Sequence, residues 1–372
     1  MYGADARDRR AVEALEALGA KVEWIDTEDG RRLRSVWWTG GDEGLEKLED
    51  LPALRWLDLS RTTVSDEGMA KVGRLTKLEG LKLSQDRITD AGLAQLRNLI
   101  SLEALSLLGT RITTAGLDHL APLTRLRILN LNWTSIGDEG LVKLGRYRQL
   151  EELFLYDTKI TDAGLVHLAP LRRLRALKLA WNEITDAGLA QVITTLPQLE
   201  ILYLSNTQVT DGGLKYLRGL PQLKYLYLHE TAITDVGAAE LSKLWSLSRL
   251  DVSNTSISDE GLALLAGLTR LEMLVLDGTP MTNEGVRNIE PLRNLGYLGL
   301  GTTAIDDTIM PEVARFELLE VLNLDETAVT DTGLGSLIEL PRLHTLNIRG
   351  TKISAEAAEE FARSRGKMEI NR

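Results

Sequence analysis

Hydrophobic and polar positions follow a 24-residue period through most of the chain. Aligned at that period, the sequence contains thirteen copies of the pattern LxxLxLxxTxITDxGLxxLxxLxx, of which one has 25 residues. A fixed period of this length predicts a solenoid, in which each copy packs on its neighbours. Positions are numbered here from the first leucine of each copy, and these leucines are Leu54, Leu78, Leu102, Leu126, Leu150, Leu174, Leu199, Leu223, Leu247, Leu271, Leu295, Leu319 and Leu343.

The hydrophobic spacing changes within each copy. Positions 4 and 6, such as Leu105 and Leu107, are two residues apart, as in a strand with one buried face. Positions 16, 19 and 22, such as Leu117, Leu120 and Leu123, have the spacing of one helical face. Each copy is therefore predicted to form one short strand and one short helix.

The residues between strand and helix carry the signals of a helix N-terminus. Position 12 is Ser or Thr in eleven copies, as at Thr89, and only Gly137 and Asp306 differ. These hydroxyls suit an N-cap, and Ile88 and Leu93 flank Thr89 as a hydrophobic staple. Position 13 is Asp in ten copies, where the helix dipole favours a carboxylate.

The LxxLxLxxT segment resembles the leucine-rich repeat superfamily, with Thr where Asn is usual. The ITDxGLxxL segment resembles its 24-residue helical bacterial subclass. The resemblance covers residues 54–372, with a weaker copy at 30–53. It implies an α/β solenoid shaped as a curved horseshoe, with a parallel β-sheet on the concave face and short helices on the convex face. Because such repeats serve many recognition tasks, the resemblance implies binding and no particular chemistry.

The ends of the repeat region are predicted to carry caps, because a solenoid must cover its first and last coils. An N-terminal helix is expected from about Asp8 to Leu18, followed by a strand at Val22 and Trp24. A distorted helix is expected around Pro311, which lies inside a helical segment. The predicted parts are a cap at 1–29, a degenerate first copy with a shortened strand at 30–53, twelve copies at 54–342, and the last copy with a C-terminal cap at 343–372.

Composition and charge limit the partners. The chain has 26% charged and 44% hydrophobic residues, as in an ordinary soluble protein, and its net charge is −11. This acidity argues against nucleic acid and anionic membrane as partners. It suits either a basic protein partner or simple solubility. No apolar run approaches a membrane span, there is no cysteine, and a monomer is favoured.

The N-terminal sequence lacks the hydrophobic core of a signal peptide. We therefore expect a cytoplasmic protein, with secretion or a periplasmic location open if a signal preceded Met1.

Two columns of polar residues are interpreted as structural. Position 9 is Thr in eleven copies and is expected to satisfy loop groups that burial removes from water. Position 2 alternates in charge and predicts a ladder of exposed ion pairs across neighbouring strands, namely Glu103, Arg127, Glu151, Arg175, Glu200 and Lys224.

Aromatic residues concentrate at positions 3, 5, 7 and 8, which alternation turns away from the leucine core. Exposed rings grouped on a rigid surface predict a binding patch; the alternative is cross-strand packing that stabilises the sheet. The predicted rings are Trp133, Phe154, Tyr156, Trp181, Tyr203, Tyr225 and Tyr227. The predicted polar rim consists of His229, Glu152, Asp157, Lys178, Glu230 and Arg249.

No motif for catalysis, metal or cofactor binding is evident. The four histidines lack a nucleophile or ligand set at telling spacing, and Asp-x-Gly recurs because helices begin there. The sequence predicts a non-catalytic module that binds a protein partner on the concave patch, as a scaffold or inhibitor. The alternative is a sensor for a peptide, glycan or other small ligand on the same patch.

Overall fold

The computed structural model describes residues 6–27, 30–85, 87–366 and 368–372. The chain divides into two compact units, Met1–Asn182 and Glu183–Arg372, and the repeat runs through both. Residues 1–5, 28 and 29 of the predicted N-terminal cap lie outside the described residues, as does Asp86 at position 9 of its copy. No helix among the described residues combines the length and apolar character that a membrane span requires.

The first unit contains a sheet whose strands follow one another in chain order. The first two strands are antiparallel, and each later strand is parallel to the one before, with equivalent leucines such as Leu105 and Leu129 paired. The strands are β1 (Lys21–Thr27), β2 (Gly30–Trp37), β3 (Trp56–Asp58), β4 (Gly80–Lys82), β5 (Ala104–Ser106), β6 (Ile128–Asn130), β7 (Glu152–Phe154) and β8 (Ala176–Lys178).

Short helices return the chain to each next strand of the first unit. The α-helices are α1 (Ala6–Ala17), α2 (Met69–Val72), α3 (Asp90–Ala94), α4 (Gly137–Leu144) and α5 (Asp162–Leu165). Segments of 3₁₀-helix are Leu45–Asp50, Gln95–Asn98, Gly116–Leu120 and Val166–Leu168.

The second unit repeats this architecture with strands that are parallel throughout. Its strands are β9 (Ile201–Tyr203), β10 (Tyr225–Tyr227), β11 (Arg249–Asp251), β12 (Met273–Val275), β13 (Tyr297–Gly299), β14 (Val321–Asn323), β15 (Thr345–Asn347) and β16 (Glu369–Asn371). Its α-helices are α6 (Asp186–Val192), α7 (Asp211–Leu214), α8 (Asp235–Leu241), α9 (Asp259–Leu265), α10 (Asn283–Asn288), α11 (Met310–Val313), α12 (Asp331–Ser336) and α13 (Ala355–Arg365). Segments of 3₁₀-helix are Ile193–Thr195, Lys215–Gly219, Asp307–Ile309 and Leu337–Glu339.

The leucine positions form the core of each unit, as the spacing predicts. Leu105, Leu107, Leu117, Leu120 and Leu123 are all buried. The position 9 threonines are also confirmed as structural. The Thr110 hydroxyl, for example, donates to the Leu107 carbonyl at 2.6 Å, and most other copies repeat this bond. The column therefore satisfies the carbonyls at the strand ends.

The position 13 aspartate joins neighbouring copies, a contact that its place in the first helical turn did not reveal. Asp138 accepts the Thr161 amide at 2.8 Å and the Thr161 hydroxyl at 2.7 Å, and Thr161 caps the next helix. The same pair of bonds recurs along both units. We call this contact the aspartate lock. Where it occurs within a unit, it fixes the start of one helix to the copy before it.

Two local expectations have clear outcomes. The strand predicted to be shortened in residues 30–53 is instead the eight-residue β2, because it pairs with β1 on one side and β3 on the other. That prediction was wrong. The distortion expected at Pro311 is present, since the copy splits into a 3₁₀ segment and the separate helix α11, with Pro311 near its start.

Candidate ligand-binding surface

The outward positions of the strands carry the predicted rings. In β7, Leu153 is buried while Glu152 and Phe154 on either side are partly exposed, and the same alternation holds in β9 and β10. The rings therefore lie on the side of the strands opposite the leucine core. Trp133 and Trp181, just after their strands, are 50% and 51% exposed.

In the first unit, three rings from consecutive copies contact one another. Trp133 meets Tyr156 edge to face with ring centres 5.4 Å apart, and Tyr156 lies 6.0 Å from Trp181 in a tilted arrangement. The Lys178 ammonium lies 4.8 Å from the centre of the Phe154 ring. We call Trp133, Phe154, Tyr156 and Trp181 the first ring cluster.

In the second unit, the rings of Tyr203 and Tyr227 are stacked with centres 4.0 Å apart. The Arg249 guanidinium lies over the Tyr225 ring at 4.7 Å, where the ring face attracts a cation. We call Tyr203, Tyr225 and Tyr227 the second ring cluster. Cross-strand packing of the rings is thus present in both units. The contribution of the rings to stability therefore has to be weighed before a role in ligand binding is assigned to them.

The predicted rim residues are divided between the two clusters. Glu152 and Lys178 are partly exposed and Asp157 is exposed in the first unit, while Glu230 and Arg249 are exposed in the second. Burial lowers the pKa of the Lys178 amine, because the charged form loses water. Burial and a hydrogen bond with Tyr227 raise the pKa of the Tyr203 phenol, which is neutral at physiological pH.

His229 has partners that the sequence analysis missed. Its Nδ1 lies 2.8 Å from the Ser253 hydroxyl, and its Nε2 lies 3.3 Å from a Glu230 carboxylate oxygen. The Ser253 hydroxyl donates to Asp251 at 2.5 Å, and Ser253 is only 5% exposed. The hydroxyl therefore supports the imidazole and is not presented as a nucleophile. His229 and Ser253 both occupy position 7, and comparing one position between adjacent copies would have found the pair.

Position 8 has an unusual backbone in every copy. Its φ is positive, from 49° at Asp157 to 70° at Gly350. Three copies place glycine there, which adopts this conformation without steric cost, and two place asparagine. Trp133 and Trp181 occupy it with φ of 56° and 60°. A bulky ring in this region is uncommon, because glycine and asparagine adopt this backbone more readily than tryptophan does.

Comparison with known proteins gives a consistent family. A family model described as a leucine-rich repeat region matches residues 32–235 and 191–365. An internalin from Listeria monocytogenes is similar in structure at 25% identity, with a TM-score of 0.58 over 81% of this chain and 82% of that protein.

A leucine-rich repeat protein from Leptospira interrogans shares the fold at 21% identity, with a TM-score of 0.58 over 88% of this chain and 80% of that one. None of the curated proteins compared with the chain matches it.

Proposed function

This chain belongs to the leucine-rich repeat family, whose solenoids present extended binding surfaces, and from that premise we propose that it is a non-catalytic module that binds a protein partner through its two ring clusters. The proposal includes membership of the 24-residue helical subclass. The rim residues Glu152, Asp157, Lys178, Glu230 and Arg249 with His229 would supply polar contacts around the rings, as in other protein interfaces.

One observation carries the proposal: Trp133 and Trp181 are half exposed on a left-handed backbone. That conformation costs a non-glycine residue about 1–2 kcal/mol. Contacts with Tyr156 offset that cost by about 0.5–1.5 kcal/mol per ring pair, and the buried half of each ring adds about 1–2 kcal/mol. Since Gly109, Gly278 and Gly350 serve the same position, the fold does not require these rings. Rings that the fold does not require and that face solvent support a role in recognition.

The test replaces both tryptophans with glycine, in the double variant Trp133→Gly/Trp181→Gly. We expect the free energy of unfolding to fall by no more than about 3 kcal/mol, because glycine relieves the backbone while the ring contacts and the partial burial of both rings are lost. Capture of partners from the native host should fail with this variant and succeed with the wild type.

Ile100→Ala is the control, because Ile100 is 59% exposed and belongs to neither cluster. It should leave capture intact. A large loss of stability in the double variant with capture unchanged would show that the rings only stabilise the sheet. A footprint well below about 800 Å² on this protein would instead favour a glycan or another small ligand.

A further inference from the structure

The charge ladder at position 2 is interrupted in the second unit. In intact stretches, Arg127 lies 2.8 Å from Glu151 and 3.8 Å from Glu103, and Lys224 lies 2.9 Å from Glu200. Beyond Lys224 the position holds Ser248 and then, after Glu272, Gly296. Two long side chains are therefore replaced by small ones at every second copy, which leaves a recess along this edge of the sheet.

The recess opens into a groove of about 970 Å³ at the amino ends of β10 to β14. Its floor is formed by position 3 side chains, which include Tyr225, Met273, Tyr297 and Val321. Gly296 keeps it open: a methyl group there would approach no atom beyond its chain neighbours closer than 3.7 Å. The groove therefore has an accessible apolar floor, and its volume is in the range of sites that bind peptides and small ligands.

Cations outnumber anions along the groove, although the chain as a whole has a charge of −11. The lining contains Lys224, Arg249, Arg270 and Arg342 against Glu272 and Glu320. Lys224 already contacts Glu200, but in the part of the chain that the structure describes no carboxylate lies within 4 Å of the three arginines.

Two of these arginines are positioned by rings. The Arg249 guanidinium lies over Tyr225 at 4.7 Å, and that of Arg270 lies over Trp245 at 5.5 Å. A ring face holds the guanidinium but does not use its N–H donors as a carboxylate does. Such an arginine is oriented in advance to bind a carboxylate through two parallel hydrogen bonds.

We propose that this groove binds an acidic peptide segment in extended form. Its carboxylates contact Arg249 and Arg270, and its apolar side chains lie on Met273, Tyr297 and Val321. Because the groove shares Tyr225 and Arg249 with the second ring cluster and its rim, the inference rests on the proposed function and assigns an acidic segment to the same partner. The negative charge of the rest of the chain disfavours such a segment elsewhere, so the groove also directs where it binds.

The probe is a fluorescein-labelled peptide of four glutamates followed by two phenylalanines, with glutamines replacing the glutamates in the control peptide. Fluorescence anisotropy should show binding of the acidic peptide that weakens with added salt, and much weaker binding of the glutamine peptide. Gly296→Glu fills the recess and adds a negative charge at a position where Glu272 and Glu320 show that glutamate fits. We expect it to weaken binding by about tenfold or more, and Arg270→Gln to weaken it by a smaller factor.

Gly335→Glu is the matched control, because it makes the same charge change in α12, where an added methyl group meets no atom within 4 Å. It should leave peptide binding within about twofold, which is the scale of a general charge effect at physiological salt. Absence of binding to the wild type, or equal weakening by both glycine variants, would overturn the inference. Loss of host partner capture in Trp133→Gly/Trp181→Gly tests the proposed function separately, since those variants keep the groove.

Discussion

At the residue scale, the aspartate at position 13 has a second role besides its favourable interaction with the helix dipole. Asp138 and Glu139 stand side by side in the first turn of α4, so the dipole acts on both carboxylates. Only Asp138 accepts the amide and hydroxyl of Thr161 in the next copy. Substituting each of the two residues in turn therefore distinguishes the contribution of the aspartate lock from that of the helix dipole.

Asp138→Ala should lower the free energy of unfolding by about 1–3 kcal/mol, because the Thr161 amide and hydroxyl lose their acceptor. Glu139→Ala, with the same charge change, should stay within about 0.5 kcal/mol of the wild type. Urea denaturation of both variants measures the difference. Equal effects would mean that the dipole interaction alone explains the aspartate column.

A buried carboxylate in the second unit gives a pH dependence. Burial raises the pKa of Asp277, although the Gly301 amide and the Asn323 side chain donate to it at 2.5 and 3.1 Å and favour the charged form. The negative charges of Asp251 and Asp325 raise it further. Ionised Asp277 is therefore less favourable in the folded protein than in the unfolded chain.

The sign follows from linkage: a carboxyl whose folded pKa lies above its unfolded value reduces stability at pH above the folded pKa, and the reduction disappears below the unfolded pKa. Asp277→Asn should therefore melt at a higher temperature than the wild type at neutral pH. The difference should shrink as the pH falls toward the range where Asp277 is protonated. A constant difference across that range would contradict this explanation.

At the element scale, the Asp-x-Gly sequence is explained by two copies together. The glycine at position 15 lies against the aspartate of the preceding copy, so that a methyl group at Gly164 would collide with Asp138. Two departures from the pattern are compensated. Thr114 replaces the aspartate where Gly137 replaces the cap hydroxyl. Asn283 still accepts the Asp306 amide, and its side-chain NH₂ donates to the Asp306 carboxylate where a cap hydroxyl would donate to aspartate. The motif therefore serves to pack each copy against the next.

Gly164→Ala should destabilise the protein by about 1–3 kcal/mol, because the methyl group displaces the Asp138 carboxylate from its bonds. Gly335→Ala in α12 should instead stabilise it by up to about 1 kcal/mol, since alanine favours a helix and the added methyl group meets no neighbour. Thermal melts of both variants check the contrast. Similar behaviour of the two would show that helix propensity, rather than contact with the aspartate, governs these glycines.

The sequence predicts the elements well where each copy contains its own signal. Leucine spacing gives the strand and helix faces, and the position 12 hydroxyls give the helix starts, as at Thr89, which caps α3. The length of β2 was not predictable in the same way, because it results from pairing with β1, and β1 lies outside the repeat.

At the scale of the whole molecule, the family was evident from the period, whereas the surface was only partly so. Alternation placed the rings on the outward side of the strands. The positive φ at Trp133 and Trp181, the support of His229 by Ser253 and the groove at Gly296 all require knowledge of how adjacent copies meet. A single copy does not encode them. The role of the ring clusters and the division into caps and copies stay predictions.

Removal of one complete copy, residues 247–270, should leave a folded protein. Asp235 would then face the cap Thr282 in place of Ser258, so that the aspartate lock is restored with equivalent groups. Because repeats contact only their neighbours, we expect one cooperative unfolding transition with reduced stability. Circular dichroism measured during urea denaturation follows it.

Removal of residues 247–258 is the control, since half a copy takes the helix of one repeat out of register with its strand. It should abolish cooperative unfolding. If the full-copy deletion is as disordered as the half-copy deletion, restoring the aspartate lock between new neighbours is not sufficient for folding.

The left-handed turn at position 8 allows surface residues to change without any change in the buried residues. Glycine, asparagine, aspartate, glutamate and tryptophan all occupy it in this one chain, on the same backbone and beside the same buried leucines. Natural selection can therefore change the residues at this site copy by copy, and an engineer can randomise them as a library, while the fold is inherited unchanged.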